Sequence, residues 1–190
     1  LDRSLAESRW LQSVADRHGF PHGIVAQVDL ADPDIEATLK AHRQLPNFRG
    51  VRQMLYWDPD PVRQGAPRPD YCNDPQFRRG FALLETYDLS FELQVYAPQA
   101  AHAAELIQAF PNVRMILVHA GMLTERTPQA IDRWRQALTT MAEFPNLSVK
   151  LSGLGMYSLG LNYPQARQVI RDVIQIFGAQ RTVYGSNFPL

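Results

Sequence analysis

The chain has 190 residues, a formal net charge of +0 and 45% hydrophobic residues, enough for one soluble globular domain with a sizeable core. The balanced charge offers no electrostatic basis for binding nucleic acid or an anionic membrane, and no apolar run approaches the roughly 20 residues that span a bilayer. Cys72 is the only cysteine, which excludes an internal disulfide. Since the first ten residues also lack the pattern of a secretory signal, we expect a cytoplasmic protein.

Short β-rich runs alternate with segments of helical periodicity along the chain. The predicted strands cover residues 23–30, 48–55, 90–96, 114–121, 147–153 and 181–189. Every gap between them is long enough for the helical crossover that parallel strands require. We therefore predict the order α(βα)5β, a parallel α/β architecture that forms one domain over residues 1–190.

Cap and turn residues mark the predicted helix boundaries. Ser4 and Glu7 form a capping-box pattern at the first helix. Three further candidate caps each precede a proline, and they are Asp32, Asp74 and Thr127. Gly19 and Gly178 are predicted to end helices. Residues 57–71 are too rich in proline for a helix, so we expect a long loop over the strand ends.

The predicted strands alternate between apolar and polar positions, which favours a barrel over an open sheet covered by helices on both faces. One face would pack against helices, and the other would point into the barrel. The polar side chains assigned to this inner face are Gln27, Asp29, Arg52, Glu92, Gln94, Tyr96, His119, Lys150, Ser152 and Asn187. Because buried polar groups must pair, the pattern predicts either a structural network or a polar pocket. The pocket is favoured, since barrel active sites lie at the carboxyl ends of the strands.

Three residues of the inner face are the strongest candidates for a role in binding or catalysis. His119 ends the fourth predicted strand, whereas the other histidines fall on predicted helices or before a strand. Arg52 is a permanently charged fork suited to a carboxylate or a polarised carbonyl, and its structural alternative is an ion pair with Glu92 or Asp29. Lys150 either faces the pocket or pairs with Glu92. The sequence alone does not decide whether Arg52 and Lys150 bind a ligand or form internal ion pairs.

The remaining candidates are neutral. Gln94, Tyr96 and Ser152 are predicted to line the substrate pocket. Asn187 lies at the carboxyl end of the last predicted strand, and it can donate and accept hydrogen bonds but cannot act as a carboxylate base. Its structural alternative is a turn residue before Phe188 and Pro189.

Seven strings in order extend over nearly the whole chain: GIVAQVDLADPDIEATL, FRGVRQ, DPQFRRGFALL, LSFELQVY, VHAGM, PNLSVKLSGLGM and VYGSNFP. Together they resemble the amidohydrolase-related (amidohydrolase 2) family, and more narrowly its lactonase-like branch of TIM-barrel hydrolases. The resemblance implies a distorted (β/α)8 barrel that hydrolyses a lactone, or a similar cyclic ester or amide, of a small carboxylate or sugar acid. It is specific for the family and not for the substrate.

The family pattern also implies roles for individual residues. Members carry a His-x-His pair on strand 1, a histidine on a middle strand and usually an aspartate at the end of strand 8. By position, His119 matches the middle histidine and Asn187 stands where the aspartate is expected, which makes these two the catalytic candidates. Arg52 lies in the strand that supplies a substrate-binding arginine in related lactonases. A divalent metal, most often Zn²⁺, is implied for an intact protein and would use His119, but this chain contains no His-x-His.

On this pattern the six predicted strands are family strands 3 to 8, and the barrel is incomplete. Strands 1 and 2 would precede Leu1, and a helical tail would follow Leu190. Asn187 also replaces the aspartate that deprotonates water in the family. Two alternatives therefore accompany the lactonase hypothesis: an inactive or fragmentary barrel that binds a small molecule or forms a homo-oligomer, and an amidohydrolase-type decarboxylase. The expected partner is a small-molecule substrate, without nucleic acid or membrane.

Overall fold

The computed structural model describes residues 3–156 and 162–188 and confirms the predicted order of elements. The helices are α1 (Arg3–His18), α2 (Ile35–His42), α3 (Pro75–Thr86), α4 (Ala100–Ala109), α5 (Pro128–Ala142) and α6 (Tyr163–Phe177). The strands are β1 (Ile24–Gln27), β2 (Phe48–Met54), β3 (Ser90–Gln94), β4 (Met115–Leu117), β5 (Leu147–Leu151) and β6 (Thr182–Tyr184). All six predicted strands are present, and each ends earlier than predicted. Pro189, predicted to close the last strand, lies outside the described residues.

The strands form one six-stranded parallel sheet in the order β1-β2-β3-β4-β5-β6. Crossovers between parallel strands are right-handed, so connections that all advance in one direction place their helices on the same face of the sheet. A doubly wound sheet would reverse its strand order and carry helices on both faces. The sequential order is the one found in the wall of a TIM-type barrel.

The apolar core fills the space between the helices and the outer face of the sheet. Phe91 of β3 packs edge-on against Phe81 of α3, with the ring centroids 4.9 Å apart, and both side chains are fully buried. Gly80 allows α3 to approach the backbone that follows β1, because a Cβ there would lie 1.9 Å from the carbonyl oxygen of Leu30. In the part of the chain that the structure describes, no helix is both long and apolar enough to cross a membrane.

Two of the predicted caps and both predicted stops are confirmed. Asp74 Oδ1 accepts hydrogen bonds from the backbone N–H groups of residues 76 and 77, at 2.8 and 3.0 Å. Thr127 Oγ1 accepts one from Ala130 N at 3.2 Å. Gly19 and Gly178 follow α1 and α6 with positive φ angles of 72° and 75°. These local signals were sufficient because each depends only on neighbouring residues.

Two other predicted caps are wrong. Ser4 lies inside α1, and its Oγ is 3.3 Å from Nε2 of His42 in α2. Asp32 precedes the helix start by more than one residue, since α2 begins at Ile35 and Asp34 occupies the cap position. The Asp32 carboxylate instead accepts from Asp34 N at 2.8 Å in a turn before the helix.

Candidate functional site

A buried carboxylate joins two cations on the inner face of the sheet. Glu92 in β3 stands opposite Arg52 of β2 in the strand register. Arg52 Nε donates to Glu92 Oε2 at 2.7 Å, with a second bond from Nη2, and Lys150 Nζ of β5 donates to Oε1. The Glu92 side chain is only 6% exposed, against 36% for Arg52 and 22% for Lys150. Of the two partners considered for Arg52, the structure therefore shows Glu92, while Asp29 accepts from Gln53 at 3.0 Å.

This cluster carries a net positive charge at neutral pH. Burial raises the pKa of Glu92, but the hydrogen bond from Lys150 and the charges of Arg52 and Lys150 outweigh it and hold the pKa below its usual range. One carboxylate thus faces two cations. The ion pairs link side chains from β2, β3 and β5, and Arg52 keeps part of its surface exposed on the inner face.

His119 reaches the inner side through a left-handed turn. Ile116 is paired with Glu92 and with Ser148 across the sheet, so strict alternation along β4 would direct residue 119 toward the helices. The chain leaves the strand instead, with φ of 56° at His119 and 52° at Ala120. His119 Nδ1 then lies 3.0 Å from the Oγ of Ser152 at the end of β5. The predicted proximity of His119 to the inner face is thus produced by a turn and not by the strand alternation.

Tight packing holds that turn in place. Trp134 Nε1 of α5 donates to the carbonyl oxygen of Ala120 at 2.7 Å. Gly153 has φ of 62°, and a Cβ there would come within 2.7 Å of His119 Nδ1. His119 is only 8% exposed, and burial together with the charges of Arg52 and Lys150 lowers its pKa. The imidazole is therefore neutral at pH 7 and can accept a proton.

Gln94 at the end of β3 and Tyr96 just after it, both predicted to line the pocket, are buried. Gln94 is 6% exposed and follows Glu92 on the inner side. Tyr96 is 5% exposed, and its ring lies 5.3 Å from that of Tyr56 between centroids. Tyr96 borders a cavity of about 400 Å³ whose other walls include Met122 and Trp134 rather than Arg52 or Lys150. The structure therefore separates the surroundings of Tyr96 from the ion cluster.

Asn187 lies in the segment that continues beyond β6. Gly185 N donates to the carbonyl oxygen of Leu151 at 3.0 Å, which keeps this segment beside β5. A Cβ at Gly185 would lie 3.0 Å from Lys150 Cδ and 3.2 Å from Ser152 Cβ. Asn187 is partly exposed and has a left-handed φ of 58°. It therefore stands at the same edge of the sheet as His119, where the carboxyl ends of the parallel strands meet.

Sequence reasoning missed Gln99, which organises the long loop over the strand ends. Its side chain is buried, and Oε1 accepts from Trp57 N at 2.8 Å and Tyr96 N at 3.2 Å. Its Nε2 donates to the carbonyl oxygens of Leu55 and Pro69 at 2.7 and 3.0 Å. The loop predicted at residues 57–71 contains one 3-10 turn, Pro61–Arg63, and a second turn begins at Tyr71. Nothing in the sequence pointed to Gln99, because its partners lie up to 44 residues away.

The described residues do not fit the divalent metal that the family resemblance implies. No group of three or more His, Cys, Asp or Glu side chains within residues 3–156 and 162–188 could hold an ion. His119 has Ser152 as its neighbour, and Asn187 offers an amide where a carboxylate would be needed.

Comparison with known proteins gives consistent results. The model of the amidohydrolase family matches residues 4–190. An uncharacterized protein of Sinorhizobium fredii, y4mH, is 40% identical over 97% of this chain and 62% of its own length. An L-fucono-1,5-lactonase of Burkholderia ambifaria is 29% identical over 97% of this chain and 61% of its own length. The crystal structure of a Burkholderia multivorans amidohydrolase with bound zinc has a TM-score of 0.83 at 26% identity, covering 97% of this chain and 64% of that one. This chain thus spans less than two thirds of the length of these relatives.

Proposed function

Because the chain belongs to the amidohydrolase family, we propose that it forms part of a hydrolase that opens a lactone, or a similar cyclic ester or amide, of a small carboxylate or sugar acid. The observation that carries this proposal is the position of His119 and Ser152 at the carboxyl ends of strands whose inner face holds a net positive ion cluster. The lactonase name of the Burkholderia ambifaria relative supports the choice of a cyclic ester.

The ion cluster suits the charge that develops during hydrolysis. When water adds to a ring carbonyl, the carbonyl oxygen becomes an oxyanion, and preorganised donors or positive charge lower the barrier to that step. Arg52 and Lys150 supply the charge, and Glu92 holds both cations in fixed positions. In this proposal Gln94, on the same side of the sheet, orients the ring substituents. An anionic sugar acid would gain from the same positive field.

His119 is the described residue best placed to move a proton. The attacking water forms a bond to the carbonyl carbon and gives a proton to the neutral imidazole, and Ser152 orients the ring. Collapse of the oxyanion breaks the ring C–O bond, and the proton passes to the departing alkoxide, which leaves a hydroxy acid. Asn187 cannot take the proton, and in this scheme it hydrogen-bonds the substrate.

We also propose that these six strands are six of the eight in a family barrel. Their sequential parallel order supports this, as do the relatives, since more than a third of each relative's length lies outside the matched region. Strands between β6 and β1 would close the inner face. Within the described residues, β1 and β6 are the edge strands, and each pairs with a neighbouring strand on one side only.

The test is hydrolysis of a panel of sugar-acid lactones by the full-length gene product, followed with a pH indicator. His119→Ala should lower kcat/KM by about 10²–10⁴-fold, the usual contribution of a general base. His22→Ala, at an exposed position before β1, is the matched control and should leave the rate unchanged. Release of carbon dioxide from an aromatic acid without ring opening would favour a decarboxylase. A defined oligomer with no turnover would favour a binding or assembly role, and either result overturns the proposal.

A further inference from the structure

A separate cavity lies in the helical layer, between the beginnings of α5 and α6. Its volume is about 280 Å³, close to the lower end for small-molecule sites. Leu123, Ile131, Trp134 and Val169 form apolar walls, and Arg126 is the cationic residue among its lining. Arg52 and Lys150 do not border this cavity, so it is distinct from the ion cluster on the inner face.

Arg126 has donor capacity that the described residues leave unused. Its Nη2 donates to the carbonyl oxygen of Leu154 at 3.2 Å, but its Nε is buried and has no hydrogen-bond partner. The ion pairs found among residues 3–156 and 162–188 do not include Arg126. A buried donor without a partner carries a free-energy cost, which is larger when the group is charged. An anionic ligand would remove that cost.

Asp172 and Trp134, two other polar side chains that line the cavity, already have hydrogen-bond partners. Asp172 Oδ2 accepts from Nε and Nη2 of Arg135 at 3.0 and 2.8 Å, and its Oδ1 accepts from Gln168 at 2.8 Å. Trp134 Nε1 donates away from the cavity, to Ala120. The one acid that lines the cavity is therefore neutralised by Arg135, and Arg126 keeps its positive charge beside an apolar surface.

We propose that this cavity binds a small organic carboxylate. The carboxylate accepts hydrogen bonds from the Arg126 guanidinium, and an apolar tail packs against Trp134, Ile131 and Val169. An inorganic anion would leave these walls uncovered, and a neutral apolar molecule would leave Arg126 unpaired, so the amphiphilic ligand fits both parts of the site. The proposal does not depend on lactone hydrolysis.

The cavity adjoins the surroundings of His119. Leu123, Arg126 and Val169 also border the narrow space beside His119 and Gly153. Leu123, Arg126 and Val169 are therefore shared between the cavity and the surroundings of the imidazole.

The experiment is a titration of the isotopically labelled protein with hexanoate, followed by the shifts of the Trp134 indole and the Ile131 methyl groups. Hexanamide has the same shape without the charge and serves as the neutral comparison. We expect saturable shifts with hexanoate and at least tenfold weaker binding of hexanamide. Equal binding of both compounds, or no saturation with hexanoate, overturns the proposal.

Substitutions of Arg126 then test whether this residue binds the carboxylate. Arg126→Gln should weaken hexanoate binding at least tenfold, while Arg126→Lys, which keeps the charge and loses the planar fork, should give an intermediate loss. Arg133→Gln removes the same charge from an exposed position on α5 and should change the affinity by less than twofold. Thermal unfolding identifies any variant that fails to fold, in which case the hexanoate and hexanamide comparison on the unmodified protein decides. An unchanged affinity of the folded Arg126→Gln variant for hexanoate would overturn the proposal.

Discussion

Ser152 Oγ lies 3.0 Å from Nδ1 of His119 and joins the end of β5 to the left-handed turn that follows β4. The contact is buried, and it links residues 33 positions apart in the chain. The contact fixes the orientation of the His119 side chain within a turn whose backbone has positive φ angles. The candidate site thus depends on a bond between two neighbouring strand ends as well as on the strands themselves.

Replacing Ser152 tests this link. Ser152→Ala should lower the free energy of unfolding by about 1 kcal/mol, since one partner of a buried hydrogen bond is removed. It should also reduce kcat of the full-length protein more than it raises KM, because the imidazole loses its orientation. Urea unfolding and steady-state kinetics measure the two effects. Ser148→Ala, the same change on the same strand, is the control, and an equal loss in both variants would contradict the positioning role.

Removing the central carboxylate should be more severe. Glu92→Gln leaves Arg52 and Lys150 without their shared counter-charge, and we expect a loss of roughly 3 kcal/mol in the free energy of unfolding, the scale for breaking a buried ion pair. Glu36→Gln removes an exposed carboxylate paired with Lys40 and should leave the unfolding midpoint almost unchanged. Urea titrations at pH 7 compare the two variants directly.

The same carboxylate predicts a pH dependence. The pKa of Glu92 in the folded protein lies below 4.5, the value of an unperturbed glutamate, so its contribution to stability is complete above pH 4.5 and is lost as the pH falls through the folded-state pKa. Unfolding measured between neutral and acid pH should therefore show a steeper decline below about pH 4.5 in the unmodified protein than in Glu92→Gln. Parallel profiles would show that Glu92 does not titrate as assigned.

Gln99 offers a test that requires no enzymatic activity. Gln99→Leu removes four hydrogen bonds that hold the loop and strand ends together. We expect trypsin to cleave the folded variant after Arg63, in the exposed part of the loop, at least tenfold faster than the unmodified protein. Gln44→Leu replaces an exposed glutamine and should leave the cleavage rate unchanged. A slow rate in both variants would show that other contacts hold the loop.

Cys72 should be unreactive in the folded protein. The side chain is fully buried, and burial raises the pKa of its thiol to about 12, so almost no thiolate forms near neutral pH. An aromatic disulfide reagent at pH 8 should therefore label the protein only after urea is added, and rapid labelling without urea would contradict the burial. The pKa of this thiol is 9.0 when unperturbed, as in the unfolded chain, and about 12 in the folded protein, so Cys72 makes the stability fall as the pH rises above about 9.

Local sequence patterns were sufficient for the order of elements and for several boundaries. Asp74 and Thr127 cap helices as predicted because capping involves only the next few residues. Ser4 and Asp32 carry the same type of signal, but Ser4 contacts His42 of another helix and Asp32 forms a turn. Capping residues also favour turns, so the pattern alone does not distinguish the two outcomes.

The sequence by itself determined the α(βα)5β order, the family resemblance and the polar inner face, since periodicity and motifs are properties of neighbouring residues along the chain. Tertiary structure decided which of two acids pairs with Arg52, that Lys150 shares the same carboxylate, and that a turn brings His119 to Ser152. It also decided that Gln99 ties the loop to the strand ends. The physical reason is distance along the chain: these contacts join residues on different strands, and they form only when the register of the sheet brings them together.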